Sequence, residues 1–572
     1  MGLLDPVPTP YDPLEWDAKP FPEKARMVCR AWALQGYGTP IAAYGLYALK
    51  ICAYVGVWIV LCGTTEGLGD PWTIGQWWSH PIAFQKAILW SMMFEVLGLG
   101  CGSGPLTGRY WPPVGGALYF LRPGTTKLPR WPGLPGLGGR TRGLLDVALY
   151  LALLVALGRA LVAPALGPSE LWPIAILVPL CGVADRTLFL AARAEHYWVT
   201  VLCFVLAPAV AGTATWMAGA KWVALALWFW AGVSKLNHHF PAVVCVMTSN
   251  SPVLRWPWLR RRMYRRYPDD LRPNRFAERL AHGGTALELG VPLVLLLGSL
   301  LGSLHGGGDV TFVGLLLMVL LHAHITSSVP MGVPLEWNVM VVYGGFVLFG
   351  AHADVSLLAV GSWPLVAILV GMLLLVPLLG NLRPDAVSFL PSMRYYAGNW
   401  ACSIWLFRGD AYVKLDRLTK SAPWLFEQLD RFYDRATAVG LVGKVIAFRL
   451  MHLHGRALPL LLPRAVERPE DYLWADGELI AGLALGWNFG DGHLHDERLL
   501  LSLQAQCGFD PGELRCIFVE SQPLLRSSLH WRIWDAATGK LDEGHVEVAR
   551  LRELQPWPED DPPKDDLPTD AA

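Results

Sequence analysis

Long apolar runs separated by short polar stretches recur from residue 41 to residue 380 and then stop. Each run approaches the ~20 residues that an α-helix needs to cross a bilayer. The pattern predicts spans at 41–63, 82–102, 143–163, 172–191, 197–218, 222–240, 280–303, 311–327, 338–352 and 363–380. Lysine and arginine orient them, because inner loops carry an excess of both. Stretches 64–81, 164–171, 304–310 and 353–362 contain neither. Most alternate loops are basic, with Arg109, Arg122, Lys127, Arg130, Arg140 and Arg142 in one. Another holds Arg255, Arg260, Arg261, Arg262, Arg265, Arg266, Arg272 and Arg275. Lys221 on an outer turn and the uncharged-basic inner turn 328–337 are the exceptions. The expectation is an all-α polytopic domain of about ten transmembrane helices with both termini cytoplasmic.

Beyond Gly380 the pattern changes. Residues 381–400, with proline and aromatics through Trp400, read as an interfacial connector, and 401–555 as a small cytoplasmic α+β domain. Alternation predicts strands at Glu513–Ser521, His530–Asp535 and Gly544–Leu551, with a turn at 535–539. The patch 436–463 carries Lys444, Arg449, His452, His454 and Arg456 among leucines and valines. It fits an amphipathic helix on the inner leaflet or an ordinary surface helix. Residues 1–40 are polar and proline-rich, lack the apolar core of a signal peptide, and read as a cytoplasmic N-terminal segment. The tail 556–572 is rich in proline and aspartate and reads as disordered.

Composition supports the membrane reading: 53% of residues are hydrophobic and 16% charged. The 27 tryptophans suit interfacial belts. A net charge of zero argues against nucleic acid as a partner. The ten cysteines form no CxxC pair, so neither a zinc knuckle nor a disulfide framework is indicated. The partners expected are the bilayer and a lipophilic small molecule. The basic loop at 255–266 interleaves Arg with Trp and Tyr, which suits anionic lipid headgroups as well as simple orientation.

Candidate chemistry begins with ionisable residues inside apolar runs, which are costly there and point to function. The stretch from Trp228 to Pro241 buries Lys235 and follows it with His238 and His239. A snorkelling lysine with interfacial histidines is the structural alternative. Placed along the predicted spans, Glu95, Asp185, Lys235, Glu288, His322 and His324 share a layer roughly 17–22 Å below the outer surface. Shared depth predicts a common polar chamber. Asp185 and Arg186 form an adjacent charge pair at its edge, Glu195-His196 open the next span, and Glu336 begins another. Asp185, Arg186 and Glu336 are therefore candidate substrate-binding residues. His322 and His324 point about 200° apart on a helix and cannot share one metal ion. In the C-terminal domain Asp491, His493, His495 and Asp496 form a candidate metal shell, with a helix cap at Asp496 as the alternative.

The segment Ala231-Gly232-Val233-Ser234-Lys235-Leu236 resembles an element of the vitamin K-dependent gamma-carboxylase and horizontally transferred transmembrane domain superfamily, as does GTALELGVP at 284–292. That resemblance implies a lysine base, Lys235, acting toward a lipophilic quinol among membrane helices. Ser234 stands where the carboxylases carry a second lysine, and His238-His239 lie outside their pattern. Across nearly the full length, EWDAKPFPEKAR, GYGTP, SFLPSMRYYAGNW and GWNFGDGHLHDERL resemble an actinobacterial multispanning family of unknown function. The expectation is a bacterial inner-membrane enzyme acting on a lipid, quinone or isoprenoid-like substrate, with quinone/quinol or a C-terminal metal as cofactor. Its alternatives are a proton-coupled transporter and a non-catalytic envelope assembly factor.

Overall fold

A computed structural model of the chain describes residues 3–100, 115–207, 212–302, 308–327, 335–393, 398–486 and 492–558. Among them five helices are long and apolar enough to cross a bilayer: Ile41–Cys62, Leu144–Val162, Arg275–Leu301, Gly308–Thr326 and Trp363–Leu382. They coincide with five of the ten expected spans. A sixth arises only if Arg435–Met451 and His454–Ala465, bent by 101°, are counted together. Ten spans are therefore not supported.

Four of the other five expected spans are shorter or broken helices, and the fifth is a continuous but largely buried helix of 22 residues. Pro81–Val96 has 16 residues. Pro168–Ala184 stops at Asp185, which turns extended (φ −152°, ψ 111°) and caps Arg186–Ala191 by accepting from Thr187 N–H. Arg193 then takes a left-handed conformation (φ 44°), and a π-helical turn, Ala194–Trp198, leads into Val199–Leu206. Leu335–Gly345 runs on into a second π-helical stretch, Phe346–Ala351. Gly212–Val233 begins earlier than expected and ends before Lys235.

Burial explains the split. Only 17–33% of the apolar 18-residue window of each long helix is buried, whereas most of Pro81–Val96 and Val199–Leu206 is. A helix facing lipid must satisfy its own backbone, since hydrocarbon offers no partners; an interior helix can break where neighbours supply them. The long helices thus form an outer wall around short, interrupted ones. Small residues allow close approach within it: a Cβ on Gly298 would collide with Thr311 of the adjacent helix.

The C-terminal domain is built on a five-stranded antiparallel sheet. A two-stranded ribbon, β1 (Tyr264–Arg266) and β2 (Asp270–Pro273), precedes it in the chain. The sheet comprises β3 (Cys402–Arg408), β4 (Tyr472–Asp476), β5 (Leu514–Val519), β6 (Ser528–Asp535) and β7 (Gly539–Glu547), in the order β4-β3-β5-β6-β7. Strands β5, β6 and β7 lie where alternation places strands, although Val548–Glu553 is helical. β3 is buried on both faces and shows no alternation to read.

Residues 1–40 pack against this half: Phe21–Gln35 lies on Arg435–Met451, and Lys444 Nζ donates to Val7 O (2.9 Å) and Tyr37 O (3.1 Å). In the 436–463 patch Lys444, Arg449, His452, His454 and Arg456 are all buried, rather than displayed on a polar face as an amphipathic surface helix would require. Trp557 is buried as well, so ordered packing continues past 555, while 559–572 lie outside the described residues. The domain joins the bundle directly through Tyr119 Oη to Ala484 O (2.6 Å) and Leu524 N to Asn381 O (2.7 Å).

Candidate functional site

Inside the bundle two charge pairs from four distant segments come together. Arg193 Nε donates to Glu95 Oε1 at 2.7 Å, with both side chains 1% exposed. Lys50 Nζ lies 3.2 Å from Glu336 Oε2. The Arg193 guanidinium also stands over the Trp337 ring at 5.8 Å. Tyr197 is fully buried within electrostatic reach of Glu95, Glu336 and Arg193. Among the described residues, Glu95 Oε2, the Tyr197 hydroxyl and His196 Nδ1 have no hydrogen-bond partner. Buried polar atoms are normally satisfied, so this concentration needs an explanation.

The backbone here is unusual too. A buried non-glycine residue at φ 44°, such as Arg193, costs about 1–3 kcal/mol and persists only where its surroundings enforce it. The π-helical turn that follows is a form often found at functional sites. Together they swing Glu195, His196 and Tyr197 into the core. A cavity of about 10 Å³ borders His196, Thr200, Phe84, Met340 and Gly344, close to the minimum that holds one water.

A second centre lies where Gly212–Val233 ends. Lys235 Nζ donates to Glu288 Oε2 and, at 3.3 Å, to Ala231 O, and lies 5.3 Å from the Phe240 ring centre. Both members of the pair are more than nine-tenths buried. His322 stands between the two centres. Trp228 Nε1 donates to its Nε2 (3.0 Å), which leaves Nδ1 to donate to Asn338 Oδ1 (2.6 Å) and fixes the tautomer. The Trp337 ring lies 6.3 Å from His322 and 6.2 Å from His196. A track of polar and aromatic groups therefore runs from Glu95–Arg193 through Trp337 to His322, which lies within electrostatic reach of Lys235.

Of the residues expected in one chamber, Glu95, His322 and Glu336 line this track, with Lys235 and Glu288 beyond its His322 end. Asp185 does not. Its Oδ1 accepts from Leu128 N–H (3.2 Å) and Thr187 N–H (3.0 Å), and its Oδ2 binds Arg142. Depth alone misled there, because residues at one height can sit on opposite sides of a bundle. Arg186 lies beside Asp496 of the C-terminal domain. His238, in the turn after Gly212–Val233, and His324, on Gly308–Thr326, are exposed. His239 is buried, but against the C-terminal domain, its ring 5.8 Å from that of His454.

The expected metal shell is dispersed. Among the described residues no three His, Cys, Asp or Glu side chains converge for a metal ion, and Asp491 lies outside them. His493 Nε2 lies 3.1 Å from Glu520 Oε1, and His495 Nδ1 lies 2.7 Å from Ser403 Oγ. Asp496 caps Glu497–Cys507 and binds Arg498. Burial opposes ionisation of Glu520, but His493, Arg532 and the Ser521 N–H outweigh it and hold the carboxyl at about 2. Burial pushes His495 down to about 4.

Lys50, Arg193, Tyr197 and Asn338 escaped the sequence reading. Lys50 was legible as the lone charge of Ile41–Cys62. Arg193 was not: between two expected spans it looks like a loop residue.

Fold and site thus define a polytopic membrane protein with buried charge pairs held between helices. The chain belongs to the family described as Transmembrane protein of unknown function (DUF3556), whose profile matches residues 1–570. Searches of curated proteins and of solved structures each give no match.

Proposed function

We propose that the protein is a membrane-embedded enzyme acting on a lipophilic substrate, with Lys235 as its acid–base residue and Glu288 as the partner. The observation that carries this reading is the buried Lys235–Glu288 pair at a helix end. Replacing a buried ion pair with packed apolar groups is often neutral or stabilising, so stability gives little reason to keep one in a membrane. A lysine and a carboxylate in contact can exchange a proton, which lets either act on a third group. The resemblance of Ala231–Leu236 to the gamma-carboxylase superfamily supports the same residue, and a lipid, isoprenoid or quinol suits the apolar surroundings. In this reading the C-terminal domain lies on the cytoplasmic side of a bacterial inner membrane, as the basic loops favour.

The test is complementation of a strain lacking the gene, read by lipid mass spectrometry. Wild type restores the profile, while Lys235→Arg, inserted in normal amounts, does not, because arginine keeps the charge but yields no proton. Full restoration by Lys235→Arg overturns the base. The second reading, a proton-coupled transporter, is favoured by the track that runs between the two centres. It predicts proton uptake into vesicles that Glu336→Gln abolishes; an enzyme shows none.

A further inference from the structure

The loop between Asn250 and the helix beginning at Arg275 does two jobs, and the structure divides them. Arg260 is buried: its Nε donates to Leu254 O (2.9 Å), its Nη2 to Ser251 O (2.8 Å) and its Nη1 to Leu34 O. It is the scaffold of the loop. Arg265 and Arg272 reach Glu553 of the C-terminal domain at 3.4 and 3.1 Å. Between these fixed points, Val253, Trp256 and Trp258 are 63%, 53% and 62% exposed, and the two indoles stack with centroids 6.5 Å apart. Arg255, Arg261 and Arg262 are exposed beside them. Among the described residues neither Arg261 nor Arg262 pairs with a carboxylate; each covers an aromatic ring instead.

The level of this patch is set by three membrane-spanning helices. Asn274, which caps the span from Arg275, donates to Arg262 O at 2.6 Å. Ser251 Oγ donates to Ser327 O, just past the end of Gly308–Thr326. Met247 packs against Leu335, as do Tyr44, Tyr47 and Ile51 near the start of Ile41–Cys62. Three spans begin or end here on one side, so Val253–Arg262 lies at the headgroup layer of that leaflet.

We infer that Val253–Arg262 is a binding surface for anionic glycerophospholipid. Trp256, Trp258 and Val253 enter the headgroup–acyl boundary, and Arg255, Arg261 and Arg262 take the phosphates. The basic loop as a whole is not the ligand site, because Arg260, Arg265 and Arg272 are spent on the protein itself.

The test is native mass spectrometry of the full chain in mild detergent, titrated with phosphatidylglycerol or phosphatidylcholine. Wild type should retain phosphatidylglycerol preferentially. Arg255→Gln/Arg261→Gln/Arg262→Gln should cut that binding on the order of tenfold or more while leaving phosphatidylcholine unchanged. Trp256→Ser/Trp258→Ser should weaken both lipids. The control Arg265→Gln/Arg272→Gln, which removes two charges from the same loop, should keep the preference, and unfolding midpoints of the exposed-site variants should match wild type. Equal retention of the two lipids by wild type, an unchanged preference in the triple variant, or displacement by inorganic phosphate overturns the inference.

Discussion

Asp185 and Asp146 use every carboxylate oxygen they have, whereas Glu95, equally buried, leaves one without a hydrogen-bond partner among the described residues. Asp146 Oδ1 binds Lys127 (2.5 Å) and its Oδ2 accepts from Gly143 N–H (2.7 Å); Asp185 divides its oxygens between two backbone N–H groups and Arg142. Arg142 also donates to Thr125 and Thr126, and Lys127 to Leu137 O. This group ties one connecting segment to two helix starts and satisfies both carboxylates, although Arg142 Nε has no hydrogen-bond partner among the described residues. The cluster of Glu95, Arg193, Lys50 and Glu336 joins four distant segments and holds a left-handed arginine, and its Glu95 Oε2 has no hydrogen-bond partner among the described residues. Burial and charge are common to both. Saturation separates a structural clasp from a site.

The largest expected effect falls on the closed group. Asp185→Ala leaves Arg142 buried without its counter-charge and two N–H groups unsatisfied, a loss of about 3–5 kcal/mol. Thermal unfolding of the detergent-solubilised protein measures it, and a loss no larger than that of Glu95→Gln would erase the distinction.

Next comes Glu520, which shares the closed character in the C-terminal domain. Its folded pKa, at about 2, is below its ordinary value of 4.5, so the stability it adds is complete above pH 4.5 and disappears as pH falls toward 2. The difference amounts to about 3 kcal/mol. His495, lowered to about 4, costs stability as pH falls below 6.5, while Glu478, raised to about 7 by burial, returns stability over nearly the same range. These two offset over most of that range, His452, lowered to about 3 by burial, adds a loss that sets in below pH 6.5, and the loss from Glu520 follows below pH 4.5. Hydrogen exchange in β5 and β6 of the full chain reports them; Glu520→Gln should make the profile shallower below pH 4.5, and an unchanged profile would remove Glu520 as the cause.

The smallest stability effect belongs to the open cluster. Glu95→Gln keeps the shape and can still accept from Arg193 Nε, and Glu336 remains within electrostatic reach, so the lost charge should lower stability by about 2 kcal/mol, less than Asp185→Ala. It should nonetheless fail to complement a strain lacking the gene. Normal complementation would make the cluster structural after all.

Much of this was readable from local pattern. The five outer helices, the strands β5 to β7, the buried positions of Glu95, Lys235, Glu288 and His322, and the cap at Asp496 each depend on residues close in sequence. Hydropathy and periodicity encode such features directly. Lipid-facing helices are the clearest case, since they must be both long and continuous.

The tertiary structure decided the rest. An apolar run has the same composition whether it faces lipid or the bundle interior, and only the interior position lets it break at Asp185 or Arg193. Depth along a helix follows from counting residues, but the direction around the bundle does not. Lys235 therefore meets Glu288, Glu95 meets Arg193, and Asp185 leaves the group it shares a height with. The histidines of the C-terminal domain likewise went to Glu520 and Ser403, partners on distant strands. Pairing between segments far apart in the chain is fixed by packing of the whole fold, and no local pattern records it.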